Sequence, residues 1–109
     1  YGIAKDPIEA ISWYRRAAEM GCVDGMLNMG SCYVYGRGVA VDYAVANRWY
    51  MLAAKRGHPA AMKCLGLAYL HGQGVEKNDV EAARWYLRAA EKGDAQAMNM
   101  LGYVFRVGR

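Results

Sequence analysis

One unit of 36 residues is written twice without a gap, as Gly25–Ala60 and Ala61–Gln96, and 13 of its 36 positions are identical. The pairs Trp13-Tyr14, Trp49-Tyr50 and Trp85-Tyr86 carry the same register past both copies. A fixed period of this length marks a stacked repeat, in which no unit buries its own apolar face and each lays it on the next. The predicted organisation is one array over 1–109. It comprises a loop plus an orphan second helix in 1–24, full repeats at 25–60 and 61–96, and an orphan first helix in 97–109.

Each repeat reads as two helices. Asp6, Asp42 and Asn78 are good N-caps, Pro7 suits the first helical position, and Glu9 and Glu81 sit three residues after their caps. The helices they open run to about Met20, Arg56 and Lys92, where Gly21, Gly57 and Gly93 supply a left-handed stop. Their apolar stripe is Ala10, Trp13, Tyr14 and Ala17, repeated as Ala46, Trp49, Tyr50, Ala53 and as Ala82, Trp85, Tyr86, Ala89. Offsets of 0, 3, 4 and 7 make one helical face. The alanines let a neighbouring helix come close and each Trp fills the gap beside them. A ligand box of Trp-Tyr pairs is the weaker reading of that stripe.

The other helix of the pair is expected from Gly25 to Tyr35, Ala61 to His71 and Ala97 to about Val107, after a four-residue turn. Its repeated stripe is Met26, Met29, Gly30, Tyr33, then Met62, Leu65, Gly66, Tyr69, then Met98, Leu101, Gly102, Phe105. A glycine inside a helix costs about 1 kcal/mol against alanine, so three at one register position imply a packing reason. The reason inferred is a helix crossing where a Cβ would collide. Gly36-Arg37-Gly38-Val39 and Gly72-Gln73-Gly74-Val75 lack the preceding strand and the third glycine or Lys-Ser/Thr of a phosphate loop. They read as tight exits with positive φ, and with Val39 and Val75 tucked beneath the helix pair.

These residues carry a resemblance. Gly30-x-x-Tyr33-x-x-Gly36-x-Gly38-Val39-x-x-Asp42, followed by Ala46-x-x-Trp49-Tyr50-x-x-Ala53-Ala54-x-x-Gly57, resembles the Sel-one-like repeat (SLR), a 36-residue relative of the tetratricopeptide repeat. The second copy matches with Asn78 in place of Asp. The resemblance implies an all-α, right-handed α-solenoid of antiparallel helix pairs, about six helices in all. It also implies an adaptor scaffold of the kind found in bacterial envelope and effector proteins and in membrane-protein quality control. One cysteine-rich, secreted branch of the family is linked to β-lactam binding or hydrolysis. Its cysteine pairs would fall at Ala18 and Met26, Ala54 and Met62, or Ala90 and Met98, so this chain departs from that branch.

Composition narrows the function classes. Thr is absent, Pro occurs twice, and 55% of residues are hydrophobic, which suits a helical core. No apolar run approaches the roughly 18 residues of a membrane span. The net charge of +4 comes from scattered Lys and Arg, which makes a nucleic-acid-binding module the alternative and not the first reading. Cys22, Cys32 and Cys64 have neither disulfide nor zinc spacing. Reduced thiols point to an intracellular setting, although the chain opens at Tyr1 in mid-repeat and a preceding leader stays open. Ser12 and Ser31 lie in no nucleophile motif, His58 and His71 make no metal pattern, and His58 is expected in solvent. No catalytic residue, cofactor or metal site is predicted.

What remains is surface for another protein, a peptide or a partner helix. Positions that vary between copies beside the fixed stripe are read as free of packing duty. In tetratricopeptide-like geometry they line the concave face: Leu27, Ser31, Val34 and Tyr35; Lys63, Leu67, Leu70 and His71; Asn99, Tyr103, Arg106 and Val107. Apolar and aromatic residues with a few cations suit a partner of some acidic character, and Tyr103 and Arg106 are the expected anchors. Neither end of the array supplies an obvious polar cap, so the chain is expected either to continue or to self-associate through its ends.

Overall fold

The computed structural model describes residues 6–107. Six helices follow one another: α1 (Pro7–Glu19), α2 (Val23–Tyr35), α3 (Tyr43–Lys55), α4 (Pro59–His71), α5 (Asp79–Glu91) and α6 (Ala95–Val107). The described residues contain no strand. Each helix packs chiefly on its chain neighbours, and the array is elongated, 48 × 25 × 23 Å. The fold is an all-α solenoid. The loop expected in residues 1–5 and the tail 108–109 lie outside the described residues.

The caps form as their chemistry dictates. Asp6 Oδ1 accepts from the amides of Ile8 and Glu9 at 3.0 and 3.2 Å, Asp42 from Val45 at 3.2 Å, and Asn78 from Glu81 at 3.1 Å. The reciprocal arm of the capping box differs at Asn78, where Glu81 instead accepts from Arg84 at 3.0 Å. Gly36 and Gly72 close α2 and α4 in the left-handed region, at φ 68° and 69°. Both glycines of each exit have positive φ. The helices expected from Gly25, Ala61 and Ala97 start two residues earlier, at Val23, Pro59 and Ala95. Cys22 and His58 take extended N-cap geometry, which leaves only a three-residue turn and puts Pro59 at the first helical position.

The repeated glycines explain the stacking. A Cβ on Gly30 would lie 2.5 Å from Cε1 of Tyr50, and one on Gly66 would lie 2.8 Å from Cζ of Tyr86. Both tyrosines are buried, so neither ring has room to swing aside. Around them Ala46, Ala53, Ala82 and Ala89 are fully enclosed. The gap-filling role expected of the tryptophans belongs largely to these tyrosines. Trp85 is 7% exposed, but Trp49 is half-buried and Trp13 is 59% exposed. In the third copy of the other stripe, Met98 and Phe105 are exposed and Gly102 faces open space, the described residues holding no helix beyond α6 to cover it.

Candidate protein-interaction surface

The surface that varies between copies is carried by α2, α4 and α6, which recur on the 36-residue period. Two adjoining cavities share Cys64 and Leu67 of α4. The larger, about 350 Å³, lies between α4 and α6 over the Tyr86 ring and is lined mainly by carbon, with Ala60 and Met100 on its walls. The smaller, about 80 Å³, reaches Val34, Tyr35 and Tyr50. Leu67, 43% exposed, stands on the ridge between them.

Polar groups fix the walls. Lys63 Nζ donates to Gln96 Oε1 at 2.8 Å and pairs with Asp94 Oδ2 at 3.1 Å, tying α4 to the start of α6. The Ala97 amide, and after it Lys63, holds the Asp94 carboxyl below the ordinary carboxylate range. The Ser31 and Tyr50 hydroxyls are 3.3 Å apart. Burial pushes the Tyr50 phenol well above its ordinary value and the Tyr86 phenol up to about 12. Burial also raises the Cys64 and Cys32 thiols, which disfavours the nucleophilic thiolate at neutral pH. All three cysteines are free. Among the described residues no group of three or more His, Cys, Asp or Glu could hold a metal ion, and no helix is long and apolar enough to cross a membrane.

The twelve residues expected at the surface do not behave alike. Tyr35, Leu67, His71, Asn99, Tyr103, Arg106 and Val107 are exposed. Leu27 and Val34 are half-buried and pack on the core, Ser31 is tied to Tyr50, and Lys63 is engaged by Asp94. Leu70 is a correction: at 6% exposure it is core, so variation from Val to Leu to Arg in its series did not mean freedom from packing. Arg37 lies over the Tyr35 ring at 5.0 Å and Arg106 over Tyr103 at 5.9 Å, so each exposed ring has a cation on its face. His58 is a second correction. It is half-buried, its Nε2 shares a 3.2 Å hydrogen bond with Asp24, and its Nδ1 is buried without a partner. Sequence reasoning missed Cys64 and Met100, although their own series (Asn28, Cys64, Met100) varies as much as those chosen.

Six stacked helices with a varying surface on alternate helices define a tandem-repeat scaffold class. The Sel1 repeat model matches residues 1–22, 23–58, 59–94 and 95–109, and the chain belongs to the Sel1 repeat family. Its internal units open at Val23 and Pro59, the first residues of α2 and α4. Two solved structures show how closely the fold is shared. One is c5321, described as a protective antigen present in uropathogenic Escherichia coli strains displaying an SLR fold; it is 39% identical with a TM-score of 0.91, over 94% of this chain and 22% of that one. The other is a Sel1 repeat protein from Oxalobacter formigenes, 37% identical with a TM-score of 0.90, over 96% of this chain and 43% of that one. The chain therefore spans less than half the length of either. No curated protein matches it in sequence. Sel1 repeats commonly mediate protein–protein interaction and are typically non-catalytic scaffolds.

Proposed function

We propose that the chain is a protein-binding scaffold that receives an apolar segment of a partner, as an extended peptide or a helix, on the α2–α4–α6 surface around Leu67. The observation that carries this reading is the pair of carbon-lined cavities meeting at Cys64 and Leu67, with exposed Tyr35 on one side and Tyr103 on α6. Apolar hollows flanked by aromatic rings accept side-chain anchors, and rim polar groups such as Lys63 and Gln96 give direction. The cations over Tyr35 and Tyr103 favour acidic residues beside the partner's apolar anchors. The test is site-specific photocrosslinking. A photoreactive residue at position 67 is expected to join one discrete partner, and one at Arg48 or Arg84 on the other helices is not. Leu67→Asp should then abolish binding of the recovered partner. Capture from Arg48 and Arg84 with none from position 67 would place the working face on α3 and α5 and overturn the reading.

A further inference from the structure

Tyr50 and Tyr86 stand at one register of the repeat, yet their hydroxyls meet different surroundings. The Tyr50 hydroxyl lies 3.3 Å from that of Ser31, and the Cys64 thiol stands beside it. One repeat later the positions of Ser31 and Cys64 are held by Leu67 and Met100. A leucine has nothing to offer a hydroxyl, and a thioether is only a weak acceptor. Among the described residues no hydrogen bond reaches the Tyr86 hydroxyl, although Tyr86 is 1% exposed. That oxygen is not sealed in the core. The one wholly enclosed side-chain nitrogen or oxygen without a partner among the described residues is His58 Nδ1, so the Tyr86 hydroxyl opens onto the cavity that Tyr86 lines.

The two cavities differ accordingly. Beside Tyr50, whose hydroxyl has a partner, the space is about 80 Å³. Beside Tyr86 it is about 350 Å³, walled by Lys63, Cys64 and Leu67 of α4, Tyr86 of α5 and Met100 of α6. A volume at the lower end of ligand pockets suits one large side chain. A purely apolar side chain entering it would strip water from the hydroxyl and return nothing. Lys63 gives a carboxylate little purchase, because its ammonium already pairs with Asp94 at 3.1 Å and donates to Gln96. Burial keeps the Tyr86 phenol protonated at neutral pH, so it donates as well as accepts. Tyrosine and tryptophan combine a flat apolar body with one hydrogen-bonding tip, which matches carbon walls around a single hydroxyl.

We propose that the cavity between α4 and α6 takes a tyrosine or tryptophan side chain of the partner protein, its ring against Leu67 and Met100 and its polar tip on the Tyr86 hydroxyl. The inference rests on the protein-binding reading above and names the anchor that reading leaves open.

The test uses p-cresol and toluene, the side-chain groups of tyrosine and phenylalanine, titrated into the chain and followed by amide shifts in NMR. Both should shift Lys63, Leu67 and Gln96, and p-cresol should bind about two- to tenfold more tightly than toluene. In a cavity without a free hydroxyl the order reverses, because the cresol hydroxyl is then buried unpaired. Tyr86→Phe removes only that oxygen and should put toluene ahead. Leu67→Ser should do the same by giving Tyr86 an internal partner, as Ser31 does for Tyr50. Toluene ahead in the wild type, one order in all three proteins, or no shift at these residues overturns the proposal. The two readings fail separately: capture of a partner from position 67 depends on the groove, whereas the order of p-cresol and toluene depends on the Tyr86 hydroxyl.

Discussion

Gly66 and Gly102 are the same residue at the same register of the same repeat, yet their surroundings are opposite. Gly66 lies under the buried ring of Tyr86, with no space for a methyl group, whereas Gly102 lies in the open. Met62 and Leu65 beside Gly66 are buried, whereas at the same register beside Gly102 Met98 is exposed and Leu101 is half-buried. The difference teaches that a repeat position acquires its physical duty from the next helix in the stack. The 36-residue pattern prescribes a surface, and the neighbour turns that surface into core.

That contrast can be broken most forcefully at the tyrosines. Tyr86→Ala removes a ring that is almost wholly enclosed and should cost about 3–5 kcal/mol in denaturant unfolding. Tyr14→Ala, at the same register on the uncovered α1, should cost far less when measured in dilute monomer. Equal losses would mean that the covering helix contributes little to the tyrosine's role. The N-caps sharpen the comparison from the other side, because a cap serves its own helix. Asp6→Ala and Asp42→Ala should each cost about 1 kcal/mol, alike at the end and in the middle of the array. A loss several times larger at Asp42 would show that even the caps answer to stacking.

Alkaline pH tests the same interior. Burial raises the Tyr86 phenol to about 12, above the ordinary tyrosine value near 10. A group whose folded pKa is raised contributes stability that is complete below the unfolded value and is lost as pH rises through the folded one. Unfolding free energy should therefore fall between about pH 10 and 12, and Tyr86→Phe should flatten that fall. Unchanged slopes in the variant would show that the Tyr86 phenol is not held neutral by burial.

The fold was legible because the period, the caps and the glycine stops repeat without a gap, so Asp6, Asp42 and Asn78 each announce the same helix. The glycine–tyrosine packing was half legible: three glycines at one register demanded a crossing partner, but the apolar stripe of α1, α3 and α5 contained both Trp and Tyr and gave no means of choosing between them. The candidate surface was the least legible. Variation between copies does not mean freedom from packing, as Leu70 shows: Val34 and Leu70 both pack on the core while Arg106 in the same series stands exposed. His58 was missed for a related reason. Its partner Asp24 lies one repeat earlier, a contact that no local window contains.

The tyrosine ring of the next helix makes the glycine obligatory, and one paired measurement tests this. Gly66→Ala and Gly102→Ala are compared by denaturant unfolding, at a dilution where the chain is monomeric. Alanine at 66 must displace the Tyr86 ring and should destabilise by roughly 1–3 kcal/mol. Alanine at 102 meets nothing and should stabilise by about 0.4–1 kcal/mol through helix propensity and a stiffer unfolded chain. Opposite signs are the predicted result; the same sign at both positions would contradict the account.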